Sequence, residues 1–133
     1  MILMKRHLGG YRKMARRGII TVISGPSGCG KNSIIKAAAE KNPYLSYVTS
    51  ATTREMRAGE AEGVNYYYKT KEEFERLICT GEILEWDEFC GNRYGTLKSE
   101  ISSKIEAGMD LILDLTISGA IAVKREFPVD AIT

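Results

Sequence analysis

No acidic residue precedes Glu40, although Lys5, Arg6, Arg12, Lys13, Arg16, Arg17, Lys31 and Lys36 all do. The imbalance is local. The whole chain carries a net charge of +2, too little to argue for a nucleic-acid or membrane partner. Cysteine is scarce and odd in number, and Cys29, Cys79 and Cys90 show no C-x-x-C spacing. That suggests neither a disulfide framework nor a zinc site. Reduced thiols in a cytoplasmic protein are the expectation. The only histidine, His7, stands alone in a basic stretch and carries no chemistry. No apolar run is long enough to span a bilayer, and the start lacks the apolar core of a secretory signal. Internal repeats and low-complexity segments are absent.

At 133 residues the chain fits one domain. Residues 1–17 read as a solvated basic extension, expected to be disordered. An organelle-targeting segment is the thinner alternative. Met14-Ala15-Arg16-Arg17-Gly18 would make a natural start, and the folded domain is expected over 18–133.

What is present is most concentrated at residues 25–33. Gly25-Pro26-Ser27-Gly28-Cys29-Gly30-Lys31-Asn32-Ser33 follows the apolar run Ile19 to Ile23. A strand entering a glycine-rich turn with lysine at its exit is the layout of a phosphate-binding P-loop. The glycines let successive N–H groups point inward at phosphate oxygens, and the next helix adds its positive end. Lys31 supplies a full charge to the β/γ-phosphates, so a nucleoside triphosphate is the expected ligand. The strict pattern places Ser or Thr directly after the lysine. Here Asn32 holds that position and the hydroxyl comes at Ser33. Cys29 inside the loop is a candidate oxidation-sensitive point.

Periodicity and punctuation give an element order. Strands are expected over 19–24, 44–49, 64–68, 82–89, 109–115 and from 129. Helices are expected over 31–41, 70–80, 97–107 and 118–127. Thr70 with Glu73 forms a capping box, and Phe74, Leu77 and Ile78 share one face. Gly91-Asn92 reads as a turn, and 50–63 as a polar connection. The class is α/β: a P-loop parallel-sheet core with helices on both faces and an inserted small mixed α+β lobe. The core is assigned to 18–49 and 97–133, and the lobe to 50–96.

Several runs recur together in one family. Gly25-Pro26-Ser27-Gly28 leads into Lys31. Ser50-Ala51-Thr52-Thr53-Arg54 precedes Arg57-Ala58-Gly59-Glu60 and Gly63-Val64-Asn65-Tyr66. Then come Glu85, Gly91-Asn92-Arg93-Tyr94-Gly95-Thr96 and Ile112-Leu113-Asp114. From about Gly18 to Thr133 the chain resembles a guanylate kinase, the ATP:GMP phosphotransferase. The resemblance makes the lobe the GMP site, with Arg54, Arg57, Tyr66 and Tyr94 on the monophosphate and Ser50 nearby. Two arginines three apart in a loop suit a dianionic phosphate. By position, Glu85 would accept from guanine N1–H and the N2 amino group, and Thr96 would donate to O6. Adenine offers a lone pair at N1, which Glu85 would repel. Asp114, ending an apolar strand, would reach Mg²⁺ or its waters, with Ser33 a second candidate. Catalysis would be positioning and charge neutralisation by Lys31, Mg²⁺ and the arginines.

The chain departs from the family pattern at Leu115-Thr116-Ile117-Ser118-Gly119. The family carries a second acid at 116 and a glutamine at 118. Family members also continue beyond this point with a mobile lid, its ATP-clamping arginines, the adenine-contacting loop and a last strand. This chain is therefore expected to be C-terminally truncated and to leave a sheet edge unpaired beside its central strand. Three further readings use the same residues. One is a catalytically impaired phosphate- or phosphopeptide-binding module, another a P-loop kinase of a phosphorylated sugar, and the last a truncated inactive gene product.

Overall fold

The computed structural model describes residues 16–26 and 28–132. The expectations for residues 1–15 and for Ser27 and the Asn32 side chain lie outside these. The element order is β1 (Ile20–Ile23), α1 (Lys31–Lys41), β2 (Leu45–Tyr47), β3 (Ala51–Thr52), β4 (Tyr67–Tyr68), α2 (Lys71–Cys79), β5 (Ile83–Phe89), β6 (Asn92–Leu97), α3 (Lys98–Glu106), β7 (Asp110–Asp114), α4 (Ile117–Glu126) and β8 (Ala131–Ile132).

These strands form two four-stranded sheets, ordered β2-β7-β1-β8 and β4-β3-β6-β5. The first is parallel throughout. The β1-α1-β2 connection crosses β7 in one direction, and β7-α4-β8 crosses β1 in the other. Right-handed crossovers then put α1 and α4 on opposite faces, in line with the α/β class expected.

One core lies under this sheet. Ile20 and Val22 of β1 and Leu111 and Leu113 of β7 pack with Ile101 and Ile105 of α3 and Val123 and Phe127 of α4. Both strands are apolar at every second position and more, as strands buried on two faces require. The second sheet has its own cluster of Ala51, Phe74 and Ile83, with Tyr67, Leu77, Ile78 and Leu97 against it. β5 joins the two by alternation: Ile83 enters the lobe cluster and Leu84 packs on the sheet core.

Three parts of the lobe differ from the sequence expectation. Ala51–Thr52 and Asn92–Leu97 are strands, where a polar connection and a turn were expected. β6 lies between β3 and β5 and is hydrogen-bonded to both, so pairing overrides its polar, glycine-containing sequence. The hairpin turn sits one residue earlier, at Cys90-Gly91, where both φ angles are positive (51° and 77°). Two consecutive positive φ values match the strand twist of a tight hairpin. Strand 64–68 contracts to Tyr67–Tyr68, because the Val64 and Asn65 N–H groups donate instead to the Ala61 carbonyl.

The capping box of α2 is present as read, with the Thr70 hydroxyl accepting from Glu73 N–H and Glu73 accepting from Thr70 N–H. At the start of the described chain, Arg16 pairs with Asp110 at 2.6 Å and Arg17 with Asp130 at 2.7 Å. Both lie within the stretch read as an extension. Among the described residues, β8 pairs with Ile20 and Thr21 of β1. Beside the rest of β1, a cavity of about 760 Å³ opens between Val22, Ile23 and Ser24 and the Ile117, Ala120 and Ile121 side of α4.

Candidate active site

The carboxyl ends of β1 and β7 are neighbours, with Ile23 paired to Asp114. Their onward connections diverge, which makes this the switch point where open parallel sheets bind ligands. The glycine-rich loop leaves β1 here. Gly28 and Gly30 take φ of 79° and 90°, a region that β-carbons disfavour, and Gly30 is the N-cap of α1. The chain thus turns from strand to helix around Lys31. The Lys31 ammonium donates to the Gly25 and Pro26 carbonyls at 2.7 and 2.9 Å. It lies 3.7 Å from Asp114 Oδ1. Ser33 is exposed in the first turn of α1, and Cys29 is exposed in the loop.

Across the cleft, a cavity of about 390 Å³ is lined by Ile35, Tyr47, Val48, Ser50, Asn65, Tyr66, Thr96 and the β7 end from Ile112 to Leu115. It brings Ser50, Tyr66 and Thr96 of the lobe against Asp114 of the core. A second cavity, about 590 Å³, is lined by Arg54, Arg57, Glu60, Tyr66, Asp87, Glu88, Phe89 and Tyr94. Tyr66 borders both. All four residues assigned to the monophosphate therefore line one cavity.

The strand pairings explain this convergence. The Thr52 hydroxyl donates to the Arg93 carbonyl at 2.9 Å and accepts from Arg54 N–H at 3.1 Å. The Thr53 hydroxyl accepts from Arg93 N–H at 2.9 Å. The two threonines before Arg54 thus fix the arginine loop to β6, which carries Tyr94 and Thr96. Gly95 between them is required by contact. A β-carbon there would stand 2.8 Å from the Glu85 carbonyl and 3.1 Å from the Phe74 ring.

Arg54 is held rather than free. Its guanidinium lies 2.8 Å from Glu60 Oε1, with its centre 5.2 Å from the Tyr66 ring and 6.0 Å from the Tyr68 ring. Tyr66 meets Tyr68 and Tyr94 edge to face, at 6.0 and 5.8 Å. Glu60 also accepts from the Tyr68 hydroxyl at 2.6 Å and from Arg57 N–H at 2.9 Å. The Arg54 bond first, then Tyr68 and Arg57 N–H, lower its pKa from 4.5 to about 2. The Arg54 side chain is mostly buried, 12% exposed, whereas Arg57 is exposed.

Glu85 of β5 accepts a hydrogen bond from the Thr96 hydroxyl of β6. Burial pushes the Glu85 carboxyl above its ordinary range and Asp87 adds to this, while the Thr96 bond opposes it. Thr116, where an acid was expected, is the N-cap of α4 and accepts from Gly119 N–H at 3.2 Å.

Glu60 and Tyr68 had no role in the sequence reading. The spacing of Glu60 to Arg54 and the i, i+2 relation of Tyr66 and Tyr68 were the available signals. Among the described residues no helix is long and apolar enough to cross a membrane, and no cluster of three or more His, Cys, Asp or Glu could cage a metal.

A family model described as guanylate kinase matches residues 17–131. The guanylate kinase of Desulfitobacterium hafniense is 45% identical over 111 residues, 84% of this chain and 56% of that protein. That of Rubrobacter xylanophilus is 46% identical over 113 residues, 85% and 59% respectively. The crystal structure of guanylate kinase from Anaplasma phagocytophilum superposes with a TM-score of 0.63 at 30% identity, covering 87% of this chain and 57% of that one. The chain thus spans a little over half the length of these relatives. With a family model matched over residues 17–131, from ahead of the strand that enters the glycine-rich loop into β8, this protein belongs to the guanylate kinase family.

Proposed function

We propose that the chain carries the substrate-handling half of a guanylate kinase reaction, transfer of the ATP γ-phosphate to GMP to give ADP and GDP in purine nucleotide metabolism. The observation that carries this reading is a pair of cavities that share Tyr66: one sets Ser50 and Thr96 of the lobe against Asp114, the neighbour of Lys31, and the other gathers Arg54, Arg57 and Tyr94. ATP would lie on the loop of Gly25, Pro26, Ser27, Gly28, Cys29, Gly30, Lys31, Asn32 and Ser33. GMP would lie in the lobe, its phosphate on Arg54, Arg57, Tyr66 and Tyr94 with Ser50 beside it.

A GMP phosphate oxygen attacks the γ-phosphorus in line, and the bond to the β–γ bridging oxygen breaks, leaving ADP. Charge accumulates on the transferring group, so fixed cations near it lower the barrier. Lys31 stands at the donor end and Arg54 and Arg57 at the acceptor end. Glu60 holds the Arg54 guanidinium in one orientation, so less order must be gained on binding. Glu85 accepts guanine N1–H and N2–H, and Thr96 turns its hydroxyl to O6.

Asp114 is an exposed carboxylate at the end of β7, and among the described residues no cluster of three or more His, Cys, Asp or Glu could hold a metal, which suits Mg²⁺ held by one carboxylate, waters and nucleotide phosphates. The Ser33 hydroxyl is the other candidate. The metal would neutralise phosphate charge. The cytoplasm is the proposed compartment, in keeping with exposed, unpaired Cys29, Cys79 and Cys90.

Phosphorus NMR of the chain with ATP, GMP and Mg²⁺ tests the reading. ADP and GDP signals are expected to grow together and to vanish in Lys31→Ala. Saturation by both nucleotides without GDP formation would instead make the chain a binding module.

A further inference from the structure

The lobe meets the sheet core through a cluster that this reaction scheme does not use. Glu100, in the first turn of α3, is 9% exposed. Its carboxylate accepts from the Tyr67 hydroxyl at 2.9 Å, from Lys104 Nζ at 2.8 Å and from Thr49 N–H at 3.4 Å. Lys104, one turn along α3, also donates to the Tyr47 carbonyl at 2.7 Å and the Ser46 hydroxyl at 3.3 Å. One carboxylate thus ties a core helix, the exit of β2 and a lobe strand.

Burial opposes ionisation of Glu100, but Lys104, Tyr67 and the Thr49 N–H outweigh it and hold the carboxyl below its usual range. The bond to Glu100, with burial, pushes the Tyr67 phenol up. Tyr67 therefore remains a donor to an ionised acceptor, the stronger kind of hydrogen bond.

Neighbouring side chains on a strand point to opposite faces. Tyr67 reaches Glu100, whereas Tyr66 and Tyr68 reach Arg54. Seating Tyr67 on the core therefore fixes the two phenol rings that orient Arg54. We propose that Glu100 is a positioning residue for monophosphate binding, holding β4 against α3 so that Tyr66 and Arg54 keep their places on the lobe cavity they line. Glu100 touches no substrate. The proposal rests on the reading of the lobe as the GMP site.

The test uses the full chain and three variants, Tyr67→Phe, Glu100→Gln and Glu100→Ala. GMP and ATP affinities are measured separately by calorimetry, with thermal unfolding and amide exchange on the same preparations. Tyr67→Phe removes one oxygen and keeps the ring packed, so it remains informative if Glu100→Ala does not fold. Tyr67→Phe and Glu100→Ala are expected to weaken GMP about tenfold and leave ATP within about twofold. Glu100→Gln, still an acceptor, recovers most of the loss. Amide exchange at residues 66–68 accelerates while β1 and β7 stay protected. GMP affinity within about twofold of the parent in Tyr67→Phe would overturn the proposal. So would parallel loss of GMP, ATP and thermal stability, the mark of a purely structural contact. If the parent binds ATP but no GMP, the functional reading fails. Unchanged exchange at 66–68 in Tyr67→Phe would then separately overturn the anchoring claim.

Discussion

Thr96 donates its hydroxyl to Glu85, and the two residues are register partners across the β5–β6 ladder. The partnership keeps a half-buried carboxylate in place without giving it a cation. Burial and Asp87 both work against its charge. A β-carbon on Gly119 of α4 would stand 3.4 Å from Glu85 Oε2, so the carboxylate is walled on one side by the helix start. A carboxylate held at such a cost, with its acceptor capacity unfilled, is what a donor-rich purine edge requires.

Glu85→Gln is expected to raise stability and remove GMP recognition. The folded-state pKa of Glu85 is raised, so the folded chain binds the proton more tightly than the unfolded chain. Ionised Glu85 therefore destabilises the fold at neutral pH, and the penalty fades as pH falls through the raised value. Thermal unfolding should show the variant melting above the parent at pH 7, with the gap closing on acidification. GMP affinity should fall about 100-fold, since an amide N–H₂ would face guanine donors.

Glu60 makes the opposite pH signature. Its carboxyl is lowered from 4.5 to about 2, chiefly by Arg54 and then by Tyr68 and Arg57 N–H. Its stabilisation is complete above 4.5 and is lost as pH falls from there towards 2. Acid unfolding of Glu60→Gln, followed by circular dichroism, should be shallower than the parent's over that window. Equal slopes would mean that the Arg54–Glu60 bond is not maintained in solution.

Phe74→Ala should separate the two cores. Phe74 is 0% exposed and packs with Ala51 and Ile83, none of which belongs to the sheet cluster. The cavity should cost about 3–5 kcal/mol. Gly95→Ala, which forces a β-carbon into the same cluster, should cost about 1–3 kcal/mol. Amide exchange is expected to show loss of protection in β3, β5 and β6 ahead of β1 and β7. Loss in both sheets together would show one cooperative unit.

The core was legible because its signals are local. Apolar runs at 19–23 and 111–113, the glycines of the loop and the Thr70–Glu73 box each dictate an element from a few residues. β6 was not. Asn92-Arg93-Tyr94-Gly95-Thr96-Leu97 starts with two polar residues and carries a glycine at its centre, and becomes a strand by pairing on both edges. The site residues on it, Tyr94 and Thr96, came from the family pattern and not from periodicity. The roles of Glu60 and Glu100 were illegible for a related reason. Each depends on three donors, one of them a tyrosine hydroxyl from β4 and another a backbone N–H. The Glu100–Lys104 spacing of four marks a helical ion pair, but nothing in the sequence shows that Tyr67 completes it.

The lobe's reading of guanine monophosphate is the claim on which the rest depends, and calorimetric titration of the chain with GMP and then AMP tests it most directly. The account predicts saturable GMP binding, AMP binding weaker by about 100-fold, and loss of at least about tenfold in GMP affinity in Arg57→Ala. A folded chain that binds neither nucleotide, or binds both equally, would contradict it.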